Sequence, residues 1–108
     1  MKAVLVLTTV NTDFDARALA HALVEARLAA CVNIVERIHS VYRWEERVAD
    51  DAEQLLVIKT SDAHVTALRE ELLRRHPYDV PEFVVIPIAE MSEAYGAWLG
   101  SAVAEPPL

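Results

Sequence analysis

The run CVNIVERIHSVYRW, residues 31 to 44, is rich in β-branched and aromatic residues and contains neither glycine nor proline, so it predicts one extended strand. Fully extended, these 14 residues span ~46 Å. A compact chain of 108 residues measures only about 34 Å across. The strand must therefore bend or project past its own sheet. A projecting edge that carries Val41, Tyr42 and Trp44 is an aggregation hazard unless a second copy of the chain pairs with it, and the expectation is a homo-oligomer.

The rest of the chain alternates between two periods. Residues 2–9, KAVLVLTT, form an unbroken apolar run of the kind buried on both faces of a sheet. Thr12, followed three residues later by Asp15, reads as the cap of a helix of about 16 residues. Its wet face is Asp13, Arg17, His21 and Glu25, and its buried stripe is Ala16, Leu19, Ala20 and Leu23. EQLLVIKT, residues 53–60, is a second compact apolar strand after an acidic turn region. Ser61 or Asp62 caps a second helix with Val65, Leu68 and Leu72 inward and the pairs Glu70/Arg74 and Glu71/Arg75 outward. FVVIPI is the last strand, and Ser92 opens a short helix carrying Tyr95, Trp98 and Leu99.

The order βαββαβ plus a terminal helix predicts an α+β, ferredoxin-like sandwich, with the first and third strands central and the second and fourth at the edges. Pro87 then falls in an edge strand, where its missing N–H costs no ladder bond. The chain reads as one domain over residues 1–108, with 103–108 as a frayed tail. Such a sheet carries helices on one face only, yet its central strands are apolar on both, so something else must cover the open face.

Composition removes several functions. Ten basic residues against 17 acidic ones give a net charge of −7, which excludes nucleic acid and an anionic membrane surface as main partners. A single cysteine, Cys31, forms no intrachain bridge, which fits a reducing compartment, and the expected location is cytoplasmic. The apolar core of the N-terminus runs only from Ala3 to Leu7 and is followed by Asp13 and Asp15, a poor secretory leader. With glycine only at positions 96 and 100 there is no phosphate-cradling loop, and no nucleophile elbow is present, so no catalytic role is expected.

The segment HPYDVPE, residues 76–82, holds two of the five prolines. Pro77 ends the preceding helix and Pro81 stiffens the connector, so side chains on it are held at low entropic cost. In one reading Arg74, Arg75 and His76 balance the helix dipole and Tyr78 plugs the core; in the other, His76, Tyr78 and Glu82 form a site. His21, His39, His64, His76 and Cys31 show no metal-ligand spacing, so a metal site would join distant segments or different subunits. His21 and His64 read as surface residues, and Cys31 as a small buried hydrophobe. Lys59 ends an apolar strand either by snorkelling to solvent or by lining an interface pocket.

LAACVNI (28–34), SVYRW (40–44), the E-x-x-L-x-I-KT strand ending at Lys59 and Thr60, HPYDVPE, and Tyr95-x-x-Trp98 together resemble the CutA divalent-cation tolerance proteins from about Ala3 to Ala102. The resemblance implies a tight homotrimer whose long second and third strands pair between subunits, similar in build to PII signalling proteins. It implies a role in tolerance to copper and other divalent cations, with no obligatory cofactor. By position it places Cys31, Asn33, Trp44, Lys59 and Tyr78 at clefts between subunits, as contacts for a small ligand, and makes His76 and Glu82 the candidate metal ligands. Thr8 and Arg75 stand where copper-binding members carry a thiol and an additional His, which lowers the case for a tight copper site. Glu46 stands where the family has Gly, which predicts a hairpin tip of different shape. The alternative is a PII-like signalling or scaffold trimer that binds a protein partner.

Overall fold

Over Val4–Asn11 and Leu55–Thr60 the two central strands alternate between buried and half-exposed side chains in a computed structural model, which describes residues 1–105. The elements are β1 (Ala3–Asn11), α1 (Ala16–Glu25), β2 (Cys31–Trp44), β3 (Arg47–Ser61), α2 (Val65–Arg75, entered through a 3₁₀ turn at Asp62–His64), β4 (Val84–Pro87) and α3 (Glu93–Val103). The strands form one antiparallel sheet in the order β2-β3-β1-β4, so β1 and β3 are central as the element order predicts. Pro87 lies opposite Val4 at the end of edge strand β4.

The core lies between one face of this sheet and helices α1 and α2. Val4, Val6 and Val10 of β1 and Leu56 and Ile58 of β3 meet Leu19 and Leu23 of α1 and Leu68 and Leu72 of α2. Burying each Leu contributes about 2 kcal/mol. Two polar groups on this face are satisfied locally: Thr60 Oγ1 donates to Leu28 O at 2.8 Å, and Gln54 Nε2 donates to Asn11 O and Phe14 O at 3.0 and 2.9 Å.

The helix ends differ from expectation. Gln54 holds residues 11–14 as a turn, so α1 starts later and its cap is Asp15, which accepts from Ala18 N at 3.0 Å; Thr12 lies outside the helix. The helix is 10 residues long because Arg27 turns left-handed at φ 59° and Leu28 N–H closes back on Leu23 O at 3.0 Å. On α2 both Arg74 and Arg75 converge on Glu71, which holds its carboxyl well below the usual range, at about 2; the expected Glu70/Arg74 pair is replaced. His64 is half-buried against Ser61 Oγ, 2.6 Å from its Nδ1, and is not a free surface residue. Ser92 caps α3 as predicted, accepting from Tyr95 N. Val103, assigned above to the frayed tail, closes α3 and is buried with Leu99 against Ala3 and Ala30; residues 106–108 of that tail lie outside the described residues.

Strands β2 and β3 are longer than the body of the sheet. Strand β3 begins at Arg47, six residues before the predicted start, so the acidic region read as a turn is strand up to a two-residue tip. The tip is Glu45 and Glu46, both at positive φ (50° and 65°), so the left-handed turn forms without the glycine. The hairpin bends at a bulge: Val35 pairs with Leu55 and Ile38 with Glu53, leaving Glu36 and Arg37 opposite the single residue Gln54. The molecule consequently measures 50 × 28 × 22 Å, with a radius of gyration of 14.8 Å against about 13 Å for a compact chain of this length.

The other sheet face is open. Leu5, Leu7, Leu55, Val57, Val84 and Ile86 lie on it, half-buried or exposed, and α3 covers only the end near Ala3. The accessible surface is 7115 Å², whereas a compact 12.0 kDa monomer exposes about 6,000 Å².

Candidate functional site

The projecting hairpin and the HPYDVPE loop enclose a cleft of about 840 Å³. Pro77 sets its geometry: His76 is extended (ψ 138°), so α2 stops and the chain doubles back toward β1. There both ring nitrogens of His76 are used. Nε2 donates to Thr9 O at 3.0 Å and lies 3.1 Å from Thr8 Oγ1, while Nδ1 accepts the Tyr78 N–H at 3.1 Å. A carbonyl only accepts and an N–H only donates, so these partners assign the neutral Nε2–H tautomer. Burial pushes the imidazole below its ordinary value, opposed by the Thr9 carbonyl and by the nearby Glu53.

His76 in turn packs edge-on against Tyr78, ring centroids 4.9 Å apart, and aims the phenol across the cleft at Glu53. Tyr78 Oη donates to Glu53 Oε2 at 2.6 Å. Loss of solvent and this bond both raise the phenol, which stays protonated as the donor. On the hairpin Tyr42 Oη donates to Asp51 Oδ2 at 2.5 Å, a bond that raises its own hydroxyl in the same way. Trp44 also lines the cleft and is 49% exposed. Among the described residues four carboxylates line the cleft, from Asp51, Glu53, Asp79 and Glu82, and no Lys, Arg or His side chain does.

The candidates read from the sequence fall into two groups. Trp44, Tyr78 and Glu82 line the cleft, and His76 stands behind them as the group that positions Tyr78. Cys31, Asn33 and Lys59 lie at the other end of the open sheet face: Cys31 pairs with Lys59 and its thiol is 3.8 Å from Asn33 Oδ1. Lys59 and Glu53 are six residues apart on β3, about 20 Å. Cys31 is half-buried, more open than a core hydrophobe. The Lys59 ammonium sits 5.7 Å from the Tyr95 ring centroid, and Tyr95 and Trp98 stack obliquely at 5.3 Å, both exposed.

His76 has no free nitrogen, and among the described residues no group of three or more His, Cys, Asp or Glu side chains is placed to hold a metal ion. Asp51 escaped the sequence reading because an acidic stretch looks like a turn, and Tyr42 was visible only as part of the projecting strand edge. Glu53 was visible in the E-x-x-L-x-I-KT motif, but its partner Tyr78 comes from a distant loop.

The profile of the CutA1 divalent ion tolerance protein family matches residues 4–102. The divalent-cation tolerance protein CutA of Thermus thermophilus is 50% identical over 94 residues, covering 87% of this chain and 91% of that protein. The chloroplastic protein CutA of Arabidopsis thaliana is 43% identical over 97 residues, covering 90% of this chain, which spans about half (53%) of the plant protein's length. The crystal structure of CutA1 from Oryza sativa superimposes with a TM-score of 0.91 at 40% identity, covering 98% of this chain and 97% of that one. By the family profile, by identity over nearly its whole length, and by fold, this chain belongs to the CutA1 divalent ion tolerance family.

Proposed function

We propose that the protein works as a cytoplasmic homotrimer in divalent-cation tolerance, taking up a divalent cation or a small ligand at clefts between subunits and catalysing no reaction. The observation that carries this reading is the acidic, aromatic cleft beside an uncovered apolar sheet face. An open face of half-exposed leucines and valines, with a hairpin projecting past it, is a surface that another copy of the chain would cover. Any metal ion in such an assembly would draw ligands from two subunits, because one subunit supplies no convergent set. Glu82, on the cleft wall, is the first candidate; His76 serves by holding Tyr78. Copper in particular would meet oxygen donors here, a weak match for a metal that prefers nitrogen and sulfur.

Sedimentation equilibrium at micromolar concentration should give a mass three times 12.0 kDa. Calorimetric titration with Cu(II) and Zn(II), comparing the native chain with Glu82→Gln, should show heats that the substitution reduces. A folded monomer, or heats that the substitution leaves unchanged, would remove the reading.

A further inference from the structure

Glu53 is an unusual carboxylate. Its side chain lines the cleft, yet the residue is only 7% exposed and it takes part in no ion pair among the described residues. Tyr78 engages Oε2; among the described residues Oε1 receives no hydrogen bond and keeps its access to the cleft. A carboxylate removed from water without a counter-charge is costly, and a phenol hydroxyl supplies one donor and no positive charge. The surroundings deepen the deficit, since the other charged groups on the cleft wall are the carboxylates of Asp51, Asp79 and Glu82.

Two features decide what kind of cation fits. The carboxylates are spread around about 840 Å³ and nowhere converge as a metal-binding set. Between them stand the rings of Tyr42, Trp44 and Tyr78, whose faces attract an ammonium or guanidinium group, and the apolar side chains of Val41 and Val80, which suit a hydrocarbon body. We infer that this cleft is a binding site for an organic cation, a primary amine, guanidinium or quaternary ammonium on an apolar or aromatic body, with its charge on Glu53 and its body against Tyr42 and Trp44. The inference rests on the proposed ligand-binding role and names the class of ligand. Glu53 and the aromatic rings touch the bound molecule; His76, whose hydrogen bonds go to Tyr78 and β1 and which does not line the cleft, acts as a positioning residue.

The test uses the full chain at low salt, with benzylamine and benzyltrimethylammonium as cationic probes, benzyl alcohol and benzoate as matched neutral and anionic ones, and Zn(II) as the point charge. Binding is read by calorimetry and by the fluorescence of Trp44, with Trp98→Phe used to isolate that signal. Both cations should bind saturably, and the alcohol and the acid about tenfold more weakly or less. Glu53→Gln, which keeps an acceptor for Tyr78, should weaken the cations by about tenfold without changing the sedimenting species. Glu82→Gln should weaken them less, and serves as the second probe if Glu53→Gln misfolds. Equal binding of alcohol and amine, Glu53-dependent binding of Zn(II) alone, or an intact trimer that ignores both amines would overturn the inference. A monomer that still binds benzylamine through Glu53 would support it while removing the trimer reading.

Discussion

Tyr78 and Glu53, 25 residues apart in the chain, meet at 2.6 Å across the cleft and join the loop after α2 to the base of the projecting hairpin. The bond leaves Glu53 with its single donor. Tyr78→Phe should therefore lower stability by about 1–2 kcal/mol, because a nearly buried carboxylate is then left without a partner. Urea unfolding at fixed protein concentration measures it, and a double-mutant cycle with Glu53→Ala, which removes the acceptor, separates the bond from the lost hydroxyl. A cycle with no coupling would show that the contact contributes nothing.

His76 makes the fold sensitive to acid. Burial sets its folded value below the 6.5 of the free side chain, so the unfolded chain takes up the proton first as pH falls. The stability tied to this residue is complete above 6.5 and is lost as pH falls from there through the lower folded value. Protonation of Nδ1 also expels the Tyr78 N–H from its acceptor. Urea midpoints followed from about pH 7.5 to about pH 5 should fall more steeply for the native chain than for His76→Gln. Parallel curves would assign the acid sensitivity to other groups.

The hairpin tip holds two glutamates in a conformation that costs an L-residue with a side chain about 1–2 kcal/mol. Glu46→Gly should raise the thermal midpoint, by about 1 kcal/mol in stability, with no change in assembly. An unchanged or lower midpoint would mean that the Glu46 side chain makes a compensating contact in the assembled protein.

Arg27 combines a left-handed backbone with a clamp. Its Nη1 donates to Ala102 O at 3.3 Å and to Ala104 O at 3.1 Å, capping the carbonyl end of α3. Arg27→Ala loses the clamp and keeps the strained φ, while Arg27→Gly loses the clamp and relieves the strain. The glycine variant should be the more stable by about 1 kcal/mol. Equal stabilities would show that the backbone at this position has moved.

Much of the fold was legible in short windows of sequence. The apolar runs AVLVL and LLVI gave the central strands, the Leu68/Leu72 spacing gave the inner face of α2, and Pro87 marked an edge. Boundaries were less legible where a distant side chain sets them. Gln54 of β3 delays the start of α1, and nothing near Thr12 announces that. Local preference disfavours glutamate at positive φ, yet the ladder from Ile38 to Trp44 closes the turn on Glu45 and Glu46. The family motifs marked Trp44, Tyr78 and Glu82 but could not say that Lys59, with Cys31 opposite it, stands about 20 Å along β3 from the cleft residue Glu53.

By itself the sequence determined the element order, the buried stripes, the family and the excess of negative charge, because each depends on residue type and spacing within a few turns of chain. Only the tertiary structure decided which carboxylate lacks a counter-charge, which imidazole has no free nitrogen, and which face of the sheet stays open. Those properties depend on solvent exclusion and on partners brought together from distant segments. They exist only once the sheet, the bulged hairpin and the proline-stiffened loop have closed around the same space.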